Sequence, residues 1–275
     1  MRPRSVWAVY FSATGTTATV VRTMAEELGH ALDADVQTRS FTLPGERQEN
    51  MTFSADDLVV FGVPVYAGRV PNLMIPYLRQ KVQGRGALAV PVVLYGNREY
   101  DDALVELRDI LEEDGFHTVA AAACIGEHSF SRILAAGRPD SEDLTAAANF
   151  ACQVADQVSA LTSLPAEPVD LRQEDHPWEY YQPRDEQGNP INILKVKPKT
   201  DSAKCTRCGI CSAVCPMGSI SADDVSVVGG VCIKCCACVK GCPSGAKYFD
   251  DPGYELHRRI LEERFARRAD PVFFL

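Results

Sequence analysis

The sequence predicts two unequal domains: an α/β domain built on a parallel sheet, followed by a small cysteine-rich α+β domain. Apolar runs of strand length alternate with amphipathic helical segments over roughly the first 160 residues, a pattern typical of parallel strands joined by crossover helices. Nine of the eleven cysteines fall between Cys205 and Cys242. This change in composition places the domain boundary before Lys204, and a chain of 275 residues is long enough for two domains.

The first domain is expected to contain five parallel strands and four helices. Pro91 lies inside one apolar run and removes a ladder hydrogen bond, so we expect that strand to start late. The strands are predicted at 5–11, 35–41, 88–95 and 118–126, with one more beginning at 59, and the helices at 18–31, 72–81, 102–113 and 141–161.

The chain is expected to divide into four segments. They are the α/β domain at 1–162, a structured linker at 163–200, the cysteine-rich domain at 201–252, and a helix with a tail at 253–275. The linker is rich in proline and charge, and its aromatic residues favour a segment packed on the surface over a free tether. The tail ends in apolar residues, so we expect it to dock onto its own chain.

Charge and cysteine usage narrow the class of protein. The net charge is -9, and residues 1–203 carry eighteen Lys and Arg against twenty-nine Asp and Glu. This excess of negative charge argues against a nucleic-acid ligand and favours docking to basic patches on protein partners. The basic N-terminus lacks a secretory apolar segment, and no run reaches the roughly 18 apolar residues of a spanning helix. We therefore expect a cytoplasmic protein without direct membrane insertion, whose clustered cysteines bind metal.

One cysteine motif is written twice in the second domain. Its spacing, three cysteines two residues apart and a fourth before proline, resembles the bacterial ferredoxin run, in which the fourth thiolate serves the other cluster. Thiolates two residues apart can reach three corners of one cube, whereas the fourth points away. The resemblance implies two 4Fe-4S clusters, the first held by Cys205, Cys208, Cys211 and Cys242 and the second by Cys232, Cys235, Cys238 and Cys215.

Four-cysteine zinc sites are the alternative to these clusters. They also use Cys-x2-Cys pairs, but zinc does not require a third cysteine at the same step and a fourth before proline. Cys236 lies outside the repeated spacing, so we interpret it as a small residue that fills space rather than as a ligand.

A hydroxyl-rich loop follows the first predicted strand and precedes the first helix. Backbone amides at a helix N-terminus, together with Ser and Thr hydroxyls, can hold a phosphate without a lysine. The loop lacks the Gly-Lys-Ser/Thr of a P-loop and the spacing of a dinucleotide fingerprint. Its candidate phosphate-binding residues are Ser12, Ala13, Thr14, Gly15, Thr16 and Thr17.

The same loop resembles the phosphate loop of flavodoxins, and two later segments resemble the flavodoxin loops that contact the isoalloxazine ring. All three follow predicted parallel strands, the place where open α/β sheets bind ligands. The resemblance implies FMN and the strand order 2-1-3-4-5. The ring-contacting candidates are Pro64, Tyr66, Ala67 and Gly68 in one loop, and Tyr95, Gly96, Asn97, Arg98, Tyr100 and Asp101 in the other.

Nearly the whole chain thus resembles the fusions of flavodoxin and ferredoxin, or flavoferredoxins. The resemblance implies an electron-transfer protein that passes electrons between two 4Fe-4S clusters and FMN and on to low-potential redox proteins. The alternative is an FMN-dependent reductase of a small oxidant, such as a quinone or nitro compound, with built-in clusters. Trp178, Tyr180 and Tyr181 of the linker are interpreted as packing between domains, and shielding of a flavin edge is the second interpretation.

Overall fold

A parallel sheet with helices on both faces forms the first domain. The computed structural model describes residues 2–172 and 178–275, so residues 173–177 of the predicted linker lie outside the described residues. The main strands follow the spatial order β2-β1-β4-β6-β8, which is the predicted order 2-1-3-4-5 once the short strands are set aside. The strands are β1 (Ser5–Tyr10), β2 (Asp35–Ser40), β3 (Met51–Thr52), β4 (Asp57–Pro64), β5 (Val82–Gln83), β6 (Leu88–Tyr95), β7 (His117–Thr118) and β8 (Ala121–Ile125).

Alternation of side chains along the strands divides the apolar core into two layers. Helices α1 and α4 cover one face, where Val20, Met24 and Phe150 pack on the strands. Helices α2 and α3 cover the other face. The helices are α1 (Thr16–Leu32), α2 (Ile75–Lys81), α3 (Ala103–Glu113) and α4 (Ser141–Ala160), so α2 begins three residues later than predicted.

Pro91 lies in the middle of β6, and the expectation that this strand starts late is wrong. Residues 87 and 89 accept hydrogen bonds from His117 and Val119, so the odd-numbered residues of β6 face β7 and β8. On that side, β7 pairs with residues 88–89 and β8 pairs only from Val92 onward. The missing N–H of Pro91 therefore points at the break between two strands, where no ladder bond is lost.

The second domain is small and has little regular structure. Its short strands β9 (Lys199–Thr200) and β10 (Lys247–Tyr248) pair in antiparallel fashion, and its single-turn helices are α5 (Ile210–Ala213) and α6 (Ala237–Lys240). Helix α7 (Pro252–Arg264) follows.

The C-terminal tail returns to the first domain. Strand β11 (Val272–Phe274) pairs antiparallel with β8 at the edge of the main sheet, and Phe273 stacks on Phe150 with ring centroids 4.5 Å apart. The prediction that the apolar tail docks onto its own chain is confirmed. No helix among the described residues is long and apolar enough to cross a membrane.

Candidate functional site

The eight cysteines of the repeated motif surround two separate cavities. The outer cavity is lined by Cys205, Cys208, Cys211 and Cys242. The inner cavity is lined by Cys215, Cys232, Cys235 and Cys238, together with Cys236. In each set the fourth cysteine comes from the other copy of the motif, which is the crossed grouping that the spacing predicts. No three His, Cys, Asp or Glu side chains within the described residues approach closely enough to hold a single metal ion.

The two copies of the motif share the same local backbone. Arg207 and Lys234, two residues after the first cysteine of each copy, both have a φ of 56°, and Gly209 and Cys236 both precede a single-turn helix in the left-handed region. In each copy, a backbone amide that follows the fourth cysteine donates a hydrogen bond to the sulfur of that cysteine. Ser219 N–H donates to Cys215 Sγ at 3.4 Å, and Ala246 N–H donates to Cys242 Sγ at 3.2 Å. Such N–H donors stabilise a thiolate that binds metal.

The two cavities differ in exposure. Cys208 is exposed at the outer cavity, whereas Cys235 and Cys238 are buried at the inner one. Burial raises the pKa of the Cys235 and Cys238 thiols to about 12, while hydrogen bonds to Ser244 and to backbone amides outweigh burial and lower the pKa of Cys242. The Cys235 and Cys238 thiols are therefore protonated on their own, and only bound metal would favour their thiolate form.

The phosphate loop, residues 12–17, presents a set of unused donors. Gly15, with a φ of 93°, is the N-cap residue of α1 and has no side chain to cap the helix. Ser12 Oγ accepts from Ala18 N–H at 3.0 Å, while the N–H groups of Thr16 and Thr17 have no partner elsewhere in the described chain. Free amides at the N-terminus of a 17-residue helix are the donors that a phosphate needs. The residues present thus fit an FMN phosphate.

The hydroxyl side chains of the phosphate loop are not equivalent. Thr14 is exposed, whereas Thr17 is buried against β4. A Cβ added at Gly62 would lie 3.0 Å from Thr17 Cγ2, so glycine is needed for this close approach. Thr14 is accordingly the hydroxyl most available to a ligand in solution.

The two candidate ring loops lie side by side at the carboxyl ends of β4 and β6. The first ring loop, residues 64–69, turns tightly: Tyr66 and Arg69 exchange backbone hydrogen bonds of 2.9 and 3.2 Å, and Ala67 and Gly68 have positive φ. A Cβ added at Gly68 would lie 2.5 Å from Asp101 Oδ2 in the second ring loop, residues 95–101. The fold therefore brings together the two segments that the sequence assigns to one ring.

The side chains of the second ring loop make different contacts. Asn97 Nδ2 donates to the carbonyls of Phe265 and Arg267 at 2.6 and 2.7 Å, and its Oδ1 accepts from Ala269 N–H. Its side chain thus anchors the segment after α7, and only its backbone is free to face a ligand. Tyr95 and Tyr100 pack against each other with ring centroids 5.7 Å apart, and Arg98 pairs with Asp101. Pro64 is the last residue of β4.

A buried ion pair fixes the position of the first ring loop. Arg69 and Glu106 of α3 bond through two contacts, Nε to Oε2 at 2.8 Å and a second from Nη2, and Val70 N–H also donates to Glu106 Oε2 at 2.8 Å. Their side chains are 10% and 4% exposed. Hydrogen bonds to Glu106, with its charge, offset burial and raise the pKa of Arg69, so the pair remains charged.

Replacing Glu106 by alanine is expected to lower the free energy of unfolding by about 3–5 kcal/mol, because Arg69 is then buried without its partner. Glu113→Ala is the matched control, since Glu113 lies on the same helix and pairs with Arg79 at 3.0 Å on the surface. We expect about 1 kcal/mol or less for the control. Chemical denaturation of the two variants measures the difference, and equal losses would contradict a structural role for the buried pair.

The second domain docks directly on the candidate flavin site. Lys240, between Cys238 and Cys242, pairs with Glu127 and donates to the carbonyls of His128 and Ser131 at 2.8 Å each. The His128 ring in turn covers the second ring loop, because a Cβ added at Gly96 would lie 2.4 Å from His128 Cδ2. One lysine of the cysteine-rich domain therefore holds the loop that packs on the ring site.

The inner cavity adjoins the first ring loop. Met217 and Ile233, which line this cavity, also pack with Tyr66 against the core of the first domain. Burial raises the pKa of Tyr66 well above its ordinary value, and the Cys235, Cys236 and Cys232 thiols lie near enough that their ionisation would raise it further. On the same side, Arg47 donates to Pro216 O at 2.6 Å, next to Cys215.

Several residues at this junction were not assigned a role by sequence reasoning. Glu106 lies on α3, which follows the second ring loop, whereas Lys240 and His257 lie far from the ring loops in sequence, on α6 and α7. Glu106 is distinguished only by its buried position on α3, and this burial becomes apparent only when the helix is packed against the sheet. Nothing local to Lys240 or His257 distinguishes them from surface residues.

Comparison with known proteins adds a family match for the second domain. Residues 197–243 match the 4Fe-4S dicluster domain, a span that contains all eight cysteines of the repeated motif. No curated protein matches the chain. The chain therefore joins a doubly wound α/β domain of flavodoxin-like topology to a 4Fe-4S dicluster domain.

Solved structures similar to the first domain include flavodoxins and one oxidoreductase. An archaeal flavodoxin is 15% identical over 56% of this chain and 99% of its own, with a TM-score of 0.41. A Streptococcus pneumoniae TIGR4 flavodoxin is 19% identical over 56% and 99%, with a TM-score of 0.38. The apo form of an NADH:FMN oxidoreductase is 16% identical over 60% and 92%, also with a TM-score of 0.38.

Proposed function

We propose that this chain, a flavodoxin-like domain joined to a 4Fe-4S dicluster domain, is an electron-transfer protein that holds two 4Fe-4S clusters and FMN and exchanges electrons with external redox proteins. The single observation that carries the proposal is that Met217 and Ile233, which line the inner cysteine cavity, pack against the same core of the first domain as Tyr66 of the first ring loop. When bound, each cluster exchanges one electron at a time and FMN exchanges one or two.

The crossed cysteine sets are the proposed ligands of the two clusters. Cys205, Cys208, Cys211 and Cys242 would hold one cluster at the outer cavity, and Cys215, Cys232, Cys235 and Cys238 would hold the other at the inner cavity. Because Cys208 of the outer set is exposed, whereas Cys235 and Cys238 of the inner set are buried, we expect external redox proteins to approach the outer set. Iron and acid-labile sulfide analysis of reconstituted protein tests this, with about eight of each expected per chain.

The phosphate loop and the two ring loops are the proposed FMN site. The free amides of Thr16 and Thr17 and the exposed Thr14 hydroxyl would bind the phosphate. The ring would lie against Pro64, Tyr66, Ala67 and Gly68 on one side, and against Tyr95, Gly96, Asn97, Arg98, Tyr100 and Asp101 on the other. Asn97 would take part through its backbone, because its side chain bonds the segment after α7.

Replacing Thr14 by valine is expected to weaken FMN binding roughly tenfold or more and to leave riboflavin binding unchanged. A hydrogen bond to a charged acceptor contributes about 1.5–3 kcal/mol, and riboflavin has no phosphate to accept it. Fluorescence titration with both flavins measures the two dissociation constants. Thr23→Val is the control, because Thr23 lies further along α1 and its hydroxyl donates to Thr19 O. Equal losses for FMN and riboflavin would refute the assignment of the phosphate loop.

The alternative function, an FMN-dependent reductase of a quinone or nitro compound, would need an apolar pocket over the ring. The large cavity beside the second ring loop is open and is lined by several charged side chains, among them Glu99, Asp102, Glu179 and Arg184. This lining favours an electron carrier over a reductase of apolar oxidants. Steady-state reduction of a soluble quinone, compared with reduction of a redox protein, separates the two functions.

A further inference from the structure

One linker residue bridges the two candidate ring loops. The backbone N–H of Tyr181 donates to Ala67 O in the first ring loop at 2.8 Å. The ring of Tyr181 lies over the Arg98 guanidinium in the second ring loop, 3.9 Å from centroid to Cζ. Tyr181 is therefore placed between the two segments that would enclose a flavin ring.

The residues before Tyr181 fix this position. Trp178 and Tyr180 both face the Arg69 guanidinium, at 5.1 and 5.0 Å from Cζ to ring centroid. Arg69 is itself held by Glu106. Cation–π contacts to a fixed guanidinium hold the strap, residues 178–181, against the first ring loop.

His257 of α7 packs beside the Tyr181 ring. The imidazole of His257 lies 5.9 Å from the Tyr181 ring and 6.1 Å from the Phe130 ring, between centroids. His257 is 4% exposed, and its Nδ1 is buried with no hydrogen-bond partner in the described part of the chain. Buried polar atoms normally have a hydrogen-bond partner, so we expect Nδ1 to bond to a group other than the protein groups described here.

We propose that Tyr181 and His257 complete the isoalloxazine site, Tyr181 by an aromatic contact with the ring and His257 by a hydrogen bond from Nδ1 to a ring heteroatom. The inference rests on the proposed function, because it requires FMN between the two ring loops. The ring site is then built from three parts of the chain: the α/β domain, the linker and the C-terminal helix. Neither residue reaches the phosphate loop, so both act on the ring alone.

The proposal and a purely structural role for the strap differ in their consequences. If Tyr181 only packs the linker onto Arg98, its removal changes the stability of the protein and leaves flavin affinity as it was. If Tyr181 contacts the ring, its removal weakens riboflavin and FMN by the same factor. This pattern is the opposite of the one expected for Thr14→Val, which affects FMN alone.

The test is titration of the full-length, cluster-loaded protein with FMN and with riboflavin, followed by flavin fluorescence. We expect Tyr181→Ala to raise both dissociation constants by the same factor, roughly two- to tenfold, because an aromatic contact is lost. Tyr181→Phe keeps the aromatic ring and should bind both flavins as the unmodified protein does. His257→Phe, which removes the buried nitrogen, should also weaken both flavins equally, again roughly two- to tenfold.

Tyr181→Phe is the matched control, since it keeps the aromatic ring at the same position of the strap. Unchanged affinities in both Tyr181→Ala and His257→Phe, or an equal loss in Tyr181→Phe, would overturn the inference. If Tyr181→Ala does not fold, Tyr181→Leu removes the aromatic ring and keeps most of the volume. An unmodified protein that binds neither flavin would overturn the proposed function itself, which is a distinct result.

Discussion

Replacing Cys211 by alanine is expected to halve the iron of the reconstituted protein, from about eight atoms per chain to about four. Cys211 lines the outer cavity with Cys205, Cys208 and Cys242, so the substitution removes one ligand of one cluster only. The inner cavity keeps all four of its cysteines, and the remaining cluster should stay visible by absorbance and by electron paramagnetic resonance after reduction.

Cys236→Gly is the control for this experiment. Cys236 lies beside the inner cavity and is buried, but it occupies the position that Gly209 occupies in the other copy of the motif, and its φ of 60° suits glycine. We expect this variant to retain both clusters and about eight iron atoms. Loss of a cluster in Cys236→Gly, or loss of both in Cys211→Ala with the protein still folded, would contradict the crossed assignment of ligands.

Reduction of the flavin through the clusters is expected to occur within one molecule. The inner cavity adjoins the first ring loop at Tyr66, and Lys240 holds the cysteine-rich domain on the loop that packs against the second ring loop. With saturating reduced low-potential ferredoxin as the donor, the rate of flavin bleaching should not change when the protein is diluted, since the cofactors share one chain.

Cys235→Ala is expected to abolish this fast flavin reduction. Cys235 is buried at the inner cavity, whose residues Met217 and Ile233 pack against the same core as Tyr66, so its loss would remove the cluster proposed to lie nearer the ring site. Stopped-flow spectroscopy that follows cluster and flavin absorbance together measures both rates. Flavin reduction that slows in proportion to dilution, or that proceeds at the same rate in Cys235→Ala, would mean that the clusters do not supply electrons to the flavin.

Local patterns were sufficient to predict the five main strands of the first domain. The apolar run at 88–95 coincides with the observed bounds of β6, because eight consecutive apolar residues between polar loops describe a strand buried on both faces. The cysteine spacing limits which thiols can converge on one cluster, because only a few bonds separate neighbouring cysteines in a tight loop. The effect of Pro91 was misjudged because two different strands, β7 and β8, pair with the same edge of β6 and leave a break opposite Pro91. The residues of β6 alone do not indicate this break.

The sequence by itself predicted a phosphate loop after the first strand and two cysteine sets that cross between the copies of one motif. Only the tertiary structure shows that residues of the inner cavity pack against the same core as Tyr66, that Asn97 anchors the segment after α7, and that Tyr181 contacts both ring loops with His257 beside it. These contacts join residues up to 172 positions apart. They depend on how two domains and a linker pack together, which no spacing within a single segment encodes.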